Sequence, residues 1–505
     1  MKQKGKVYLV GAGPGDAGLI TVKALECLRH ADVIVYDRLV NPRLLEYALP
    51  GTECIYAGKS PVKHTLSQDE INTLLVKKAK TGKIVVRLKC GDPFLFGRGA
   101  EEALVLVKQR ISFEVVPGVT SAFGASAYAG IPLTHREYTS SVGIFTGHEE
   151  ANKKDSGISW DKIATGLGTL VFLMGVEHLS EIVKNLISFG RPSSSACCLI
   201  QQGTLPLQRS VCATLATIVK KAKQEKIAPP AIFVVGNVVS LRKRLNWFES
   251  MPLFGKNILI TRPHDDRENK FSKLLEDYGA QPVALPVVEI KPLKEYSRLD
   301  STLRHIDNFQ WVIFTSHNGV MFFKERLACL KKDVRILKEI HIASIGPKTQ
   351  AALEAIGIRA DMASRQFCQE GLLECFKKIN LKDKHILIVR ARKARDVLPQ
   401  GLKAFGASVT IAPAYRTSAI RYPQSTLPDL KDIDIITFTS SSCVEGFFGI
   451  FSKKTILNKA NKFKTASIGP VTSATARRLG LRVDIEATQY TFDGLSEAIV
   501  KYYND

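Results

Sequence analysis

The sequence predicts an α/β protein in two parts, each part built of two α/β lobes. Three observations carry this expectation. Strands and helices alternate from the first residues onward, glycine-rich loops sit at strand ends through the first half, and the second half contains one α/β pattern twice. A chain of 505 residues exceeds what one core can organise, since domains average about 150 residues.

Val7-Tyr8-Leu9-Val10 reads as a buried strand, because apolar residues run unbroken up to Gly11. The loop Gly11-Ala12-Gly13-Pro14-Gly15-Asp16 follows, then a helix with Val22, Leu25 and Leu28 expected on its apolar face. Val33 to Tyr36 forms the second strand and ends in Asp37. Gly13, Gly15 and Gly18 fit the dinucleotide fingerprint formally, with Asp37 where an acidic residue would take a ribose hydroxyl. Pro14 removes an N–H that such a loop would offer a pyrophosphate, and Asp16 adds negative charge at the same helix N-terminus. Both residues argue against a nicotinamide enzyme.

A turn at Gly58-Lys59 and a helix over Gln68 to Ala79 come next. Ile84 to Val86 then starts a strand that Gly91-Asp92-Pro93 stops, and Gly97 and Gly99 bracket Arg98 before a helix expected from Ala100. Ligands in open α/β sheets bind beyond the carboxyl ends of the strands, which makes Asp92 and Arg98 candidate holders of a polar small molecule. Phe113 to Val116 leads into Pro117-Gly118-Val119-Thr120-Ser121, and the small residues Ala122, Gly124, Ala125 and Ser126 follow. They admit close approach of a backbone or a flat ligand, and tight helix packing explains them equally well. His135 is a minor candidate, a lone histidine being more often structural. The polar stretch Glu149 to Ser159 is expected to be mobile; Thr169 to Met174, Leu199 to Gly203 and Ala231 to Gly236 read as further strands, enough for a second lobe.

Composition narrows the function classes. The net charge of +23 suits a nucleic acid, a membrane surface or a polyanionic small substrate. Basic residues lie in short clusters such as Leu241-Arg242-Lys243-Arg244, without a long tract or an RNA-binding signature, which weakens the nucleic-acid case. The ten cysteines form no CxxC pair, so reduced thiols are expected and metal ligation has no support. No segment approaches the roughly 18 apolar residues of a membrane span, and the apolar run after Lys6 is too short for a signal peptide. A soluble, cytoplasmic protein is the expectation.

The ordered set GAGPGD at 11–16, VYD at 35–37, CGDPFLFGRG at 90–99, PGVTSA at 117–122, PLTHR at 132–136 and LMG at 173–175 resembles the tetrapyrrole methylases, and among them the uroporphyrinogen-III C-methyltransferases. The resemblance implies an S-adenosylmethionine enzyme with the cofactor folded between two α/β lobes of a homodimer. On it, Pro14, the Cys90-Gly91-Asp92 turn, Leu95, Thr120, Ser121, Met174 and Gly203 match cofactor positions. Asp37 matches the proposed base, and Lys59 the proposed proton donor. The family usually has glycine where Cys90 stands and alanine where Ser121 stands. The chemistry is consistent: methyl transfer from a sulfonium to carbon needs an aligned, electron-rich carbon and a group to take the departing proton. On position alone, Asp37 suits either a base or a capping residue.

A boundary is expected at Ser250-Met251-Pro252, which separates domains 1–250 and 251–505. Beyond it GKNILITRP at 255–263 echoes DKHILIVRA at 383–391, FTS at 314–316 echoes FTS at 438–440, and ASIGPKT at 343–349 echoes ASIGPVT at 466–472. Ser316, Ser441, Thr349 and Thr472 follow strands and lead into helices, as N-caps or as carboxylate-binding groups at helix N-termini. Together with PAYRT at 413–417 this order resembles uroporphyrinogen-III synthase. The resemblance implies two lobes joined by a two-stranded connector, one lobe combining roughly 255–290 with 418–505. It also implies a hydroxyl-assisting role for Tyr415 and a place in the cleft for Thr349 and Thr472. A tyrosine packed at the connector beside Arg416 is the alternative reading.

Together the resemblances imply a bifunctional enzyme that needs no metal: hydroxymethylbilane is cyclised to uroporphyrinogen III, which is then methylated twice to precorrin-2 on the sirohaem and cobalamin branch. Its partners would be tetrapyrroles and a second copy of the chain, joined through the methylase half, and no nucleic acid or membrane. The basic charge suits these polycarboxylates, with exposed ion pairs contributing roughly 0.2–1 kcal/mol each. The alternative is another cobalamin-pathway or diphthine-type methylase fused to a non-catalytic tetrapyrrole-binding module.

Overall fold

The computed structural model describes residues 5–58, 66–147, 157–262, 270–364, 368–423 and 426–504. The chain divides into two compact units, residues 1–256 with 276–281 and residues 257–275 with 282–505.

In the first unit, strands β1 (Lys6–Gly11), β2 (Val33–Tyr36), β3 (Glu53–Tyr56), β4 (Ile84–Lys89) and β5 (Ser112–Val116) form a parallel sheet in the order β3-β2-β4-β1-β5. Successive residues of a strand point to opposite faces, and both faces of this sheet are covered. Val10, Ile34, Val86 and Leu88 pack with the helix Val22–Arg29 on one face. Val7, Leu9, Val33, Val35 and Val85 pack on the other with the helices Gln68–Lys80 and Gly99–Lys108. The helix Gln68–Lys80 shows why these segments are helical. Ser67 and Glu70 close a capping box, Ile71, Leu75 and Ala79 recur on the buried face, and Lys77, Lys78 and Lys80 complement the dipole at its end. Burying a side chain such as Leu75 contributes about 1.5–3 kcal/mol.

The helix Val22–Arg29 corrects one expectation. Val22 is 76% exposed, and Ala24, Cys27 and Leu28 make the buried face. Thr21 caps the helix through Ala24 N, so Val22 falls in the first turn and points outward.

The second lobe holds β6 (Val142–Thr146), β7 (Thr169–Leu173), β8 (Ala196–Gln201), β9 (Arg209–Thr214) and β10 (Ala231–Val235) in a mixed sheet, β6-β7-β10-β8-β9. The stretch 149–159, expected to be mobile, lies mostly outside the described residues. The strands before the Gly175 and Gly236 loops end at Leu173 and Val235, each one residue earlier than expected.

In the second unit the strands are β11 (Asn257–Ile260), β12 (Gln281–Ala284), β13 (Val288–Lys291), β14 (Trp311–Phe314), β15 (His341–Ser344), β16 (Met362–Ala363), β17 (His385–Ala391), β18 (Ser408–Ala419), β19 (Ile435–Phe438), β20 (Lys464–Ser467) and β21 (Ile485–Glu486). They form two sheets, β12-β11-β19-β20-β21 and β13-β18-β17-β14-β15-β16. Position by position β12, β11, β19, β20 and β21 correspond to β18, β17, β14, β15 and β16, which is the internal repeat in three dimensions. One lobe is therefore drawn from both ends of the unit. The antiparallel pair β13–β18, running from Val288 opposite Ala419 to Lys291 opposite Arg416, is the two-stranded element where the chain passes between lobes.

Candidate active sites

Three glycines set the shape of the first site. Gly11, Gly91 and Gly118 stand where β1, β4 and β5, adjacent in the sheet, end. A Cβ on Gly118 would lie 2.3 Å from Gly91 O and 2.7 Å from Gly11 Cα, and one on Gly11 would lie 2.5 Å from Gly118 Cα. Gly11 and Gly118 must lack side chains for these loops to close on each other, and Gly91 is required by its positive φ of 71°. Gly91 N donates to Gly13 O at 2.8 Å, and Gly13 N donates back to Gly91 O at 3.3 Å.

Asp92 ties the same loops together. Its Oδ1 accepts from Phe94 N at 2.8 Å and Leu95 N at 3.1 Å, and its Oδ2 accepts from Gly118 N at 3.0 Å. Thr120 is buried and caps the helix Ser121–Tyr128, accepting from Ala122 N. The small residues of that helix have a structural use: a Cβ on Gly124 would meet Pro14 Cγ at 2.6 Å, and one on Gly203 would meet Ala125 Cβ at 2.2 Å. The Pro14 loop and the Gly203 loop therefore pack against one helix. Asp16 N donates to Thr204 Oγ1 at 2.9 Å, and Tyr128 Oη donates to Asp16 Oδ2 at 2.6 Å, which bridges the loops from the two lobes. Burial and this hydrogen bond both push the Tyr128 phenol up.

The structure thus brings Pro14, Gly91, Asp92, Leu95, Thr120, Ser121 and Gly203 together. Cys90 adjoins them; burial first and Asp37 second push its thiol up to about 11. Met174 directly follows β7 of the second sheet, half exposed and with φ of 54°. Arg98 also has a positive φ, 56°, and turns its guanidinium to Glu101 at 2.7 Å. His135 sits in a small turn, its Nδ1 accepting from Glu137 N, which favours the structural reading. Lys59 lies outside the described residues.

Asp37 follows β2, its side chain 31% exposed, and Arg87 Nη2 donates to its Oδ1 at 2.6 Å. Arg87 and Lys89 project from the same face of β4 and are 2% and 5% exposed. Both reach Glu102 Oε1, at 3.1 and 2.9 Å. Sequence reading missed these three residues, although a signal existed: charged residues inside an apolar strand that is buried on both faces must find partners. Burial, with Arg87 beside it, pushes the Lys89 ammonium down. Leaving one partner of such a set alone costs about 3–5 kcal/mol.

In the second unit Tyr415 is 7% exposed and sits in β18, stacked on Phe322 with ring centroids 5.7 Å apart. Tyr415 Oη and Ser316 Oγ are 2.9 Å apart. Burial pushes the phenol up, so it is protonated at neutral pH and able to donate. Of the four residues read as possible caps only Ser316 is one, accepting from Gly319 N at 3.2 Å. Ser440 caps the helix that Ser441 begins. Thr349 and Thr472 lie in first turns after Gly346 and Gly469, because Gly-Pro starts each helix two residues before the threonine. Both threonines are buried, and Ser441 Oγ accepts from Thr475 Oγ1 at 2.9 Å, which links the Ser441 and Thr472 helices.

Comparison with known proteins follows the same division. Residues 6–219 match the family model of the tetrapyrrole (corrin/porphyrin) methylases, and residues 269–497 match that of uroporphyrinogen-III synthase HemD. A porphyrin biosynthesis protein HemD from Ruminiclostridium josui is 37% identical over 503 residues, covering 99% of this chain and 98% of that protein. A uroporphyrinogen-III C-methyltransferase from Priestia megaterium is 55% identical over 236 residues, 47% of this chain and 99% of its own length. A crystal structure of uroporphyrin-III C-methyl transferase from Thermus thermophilus, complexed with S-adenyl homocysteine, is 41% identical, covers 47% of this chain and 100% of its own, and has a TM-score of 0.41.

Proposed function

The chain belongs to the tetrapyrrole methylases through its first half and to the uroporphyrinogen-III synthases through its second, and on that premise we propose that it closes hydroxymethylbilane to uroporphyrinogen III and methylates that product twice to precorrin-2. The observation that supports this reading is the presence of both family matches in one chain, since the product of the proposed cyclisation is the substrate of the proposed methylation. The boundary belongs near Ser250-Met251, with each half active alone and the methylase half forming the homodimer. The setting is the cytoplasm; among the described residues no helix is long and apolar enough to cross a membrane.

The residues of the glycine cradle fit S-adenosylmethionine. A Cβ at Gly91 would be uncrowded, making only ordinary contacts with Ser121 N and Thr120 Cα at 3.9 Å, and Gln201 Oε1, two residues before Gly203, is buried without a partner. An acceptor in that state suits a ligand that brings its own donor. Pro14, Cys90, Gly91, Leu95, Thr120, Ser121, Met174 and Gly203 would hold the cofactor, with Asp92 bracing the loop. When bound, S-adenosylmethionine supplies a methyl group on a sulfonium. Asp37 takes the proton that leaves the methylated pyrrole carbon: Arg87 occupies Oδ1, which leaves Oδ2 as the oxygen for that work. Lys59 returns a proton, and Arg98, exposed at the loop, meets a substrate carboxylate.

In the synthase half Tyr415 donates its phenolic proton to the hydroxyl leaving the bilane, with Ser316 fixing the phenol's direction. Ser441, Thr349 and Thr472 bind substrate carboxylates near their helix N-termini. Two assays test the reading separately. Purified chain given uroporphyrinogen III and S-adenosylmethionine should form a dimethylated product, and chain given hydroxymethylbilane alone should form the type III isomer. Failure of the second assay with success of the first would leave the synthase half a binding module.

A further inference from the structure

Four ionisable side chains behind the methylase cradle form one connected set, and only one of them reaches solvent. Arg87, Lys89 and Glu102 are 2%, 5% and 0% exposed, whereas Asp37 is 31% exposed. Glu102 Oε1 accepts three donors, Arg87 Nε at 3.1 Å, Lys89 Nζ at 2.9 Å and Gln68 Nε2 at 3.1 Å. Its Oε2 is buried with no partner. Arg87 continues to Asp37 Oδ1 at 2.6 Å, and Lys89 Nζ stands 4.0 Å from Asp37 Oδ2. A buried ion set stabilises a fold no better than apolar side chains of the same size would. A use beyond stability is therefore indicated, and the single outlet of the set is the Asp37 carboxylate.

We infer that Glu102 is a positioning residue for the methyl-transfer step, holding Arg87 and Lys89 so that one oxygen of Asp37 is pinned and the charge facing the other is balanced. The inference rests on the proposed role of Asp37 as the base. Two cations facing one carboxylate would hold it ionised so strongly that it would accept a proton poorly; a second carboxylate behind them offsets that field. Among the described residues, the other groups to consider around Asp37 are the Cys90 thiol at the end of β4, neutral Gln68 from the helix Gln68–Lys80, and exposed Arg38 next in the chain. Glu101, on the helix of Glu102, is paired with Arg98.

The test uses the full chain and the pH dependence of methyl transfer to uroporphyrinogen III. Glu102→Gln leaves both cations facing Asp37 alone, so the acid limb of the rate profile should move down by about one pH unit and kcat should fall at least tenfold, with KM for S-adenosylmethionine within threefold of the parent. Lys89→Met removes one cation and should move the acid limb up. A merely structural set would lower the melting temperature and leave both limbs in place, and that result overturns the inference. If Glu102→Gln does not fold, an unmoved limb in Lys89→Met overturns it equally. Asp37→Asn separates the two readings. Full activity in that variant removes the base and this inference together, whereas an inactive Asp37→Asn beside unmoved limbs in the other variants removes the inference alone.

Discussion

Tyr415 Oη and Ser316 Oγ lie 2.9 Å apart, joining the last long strand of one lobe to the cap of a helix 99 residues earlier in the chain. The phenol is buried, stacked and hydrogen-bonded, so Tyr415→Phe keeps the ring against Phe322 and removes only the hydroxyl. Inversion should slow while folding survives. The isomer ratio formed from hydroxymethylbilane reports it: more of the uninverted uroporphyrinogen I is expected, and an unchanged rate with pure type III isomer would return Tyr415 to a packing role.

Asp37→Asn should leave S-adenosylmethionine binding intact and slow methyl transfer by about two to four orders of magnitude, the usual range for a lost general base. Calorimetry and single-turnover methylation of uroporphyrinogen III separate the two effects. A loss of binding together with rate would show that Asp37 shapes the cradle instead.

Asp92→Ala is expected to act on the cradle. Three backbone N–H groups, those of Phe94, Leu95 and Gly118, lose their acceptor, each loss costing about 1–3 kcal/mol where water cannot replace it. Affinity for S-adenosylmethionine should fall at least tenfold and the first unit should melt earlier. Unchanged affinity by calorimetry would contradict the assignment of these loops to the cofactor.

The Cys90 thiol gives a pH dependence with a definite sign. Its folded value is raised to about 11 from an ordinary value of 9.0, so the folded state holds this proton more tightly than the unfolded state. The associated stability is fully present below pH 9 and is lost as pH rises through about 11. Thiolate absorbance of the native chain should show Cys90 ionising late, and Cys90→Gly should flatten the alkaline loss of stability. Rapid alkylation of Cys90 in the native chain at pH 8 would contradict this.

Much of the fold is legible in residues such as Val33 to Tyr36, where β-branched and aromatic side chains run unbroken up to Asp37 and mark a strand buried on both faces. The repeat is legible because FTS and SIGP each recur at a strand end. Less legible is β9, Arg209–Thr214, whose polar residues hide a strand that pairs along its length with β8. Val22 misled because only the cap at Thr21 decides which way the first turn faces. Among the serines at 440–442 the backbone, with φ of −166° at Ser440, selects the cap, and residue type cannot. The glycine cradle was visible in Gly91-Asp92-Pro93 and Pro117-Gly118. Arg87 and Lys89 inside the otherwise apolar run Ile84–Lys89 signal that partners are needed, but which partner is not legible, because they meet Glu102 only once the strand and the helix Gly99–Lys108 are folded together.

The most direct measurement is one incubation of the purified full chain with hydroxymethylbilane and S-adenosylmethionine carrying a labelled methyl group. The product should be type III in its ring order and should carry two labelled methyl groups per tetrapyrrole. Uroporphyrinogen I without label, or type III product that never acquires label, would contradict the account of one chain performing both steps.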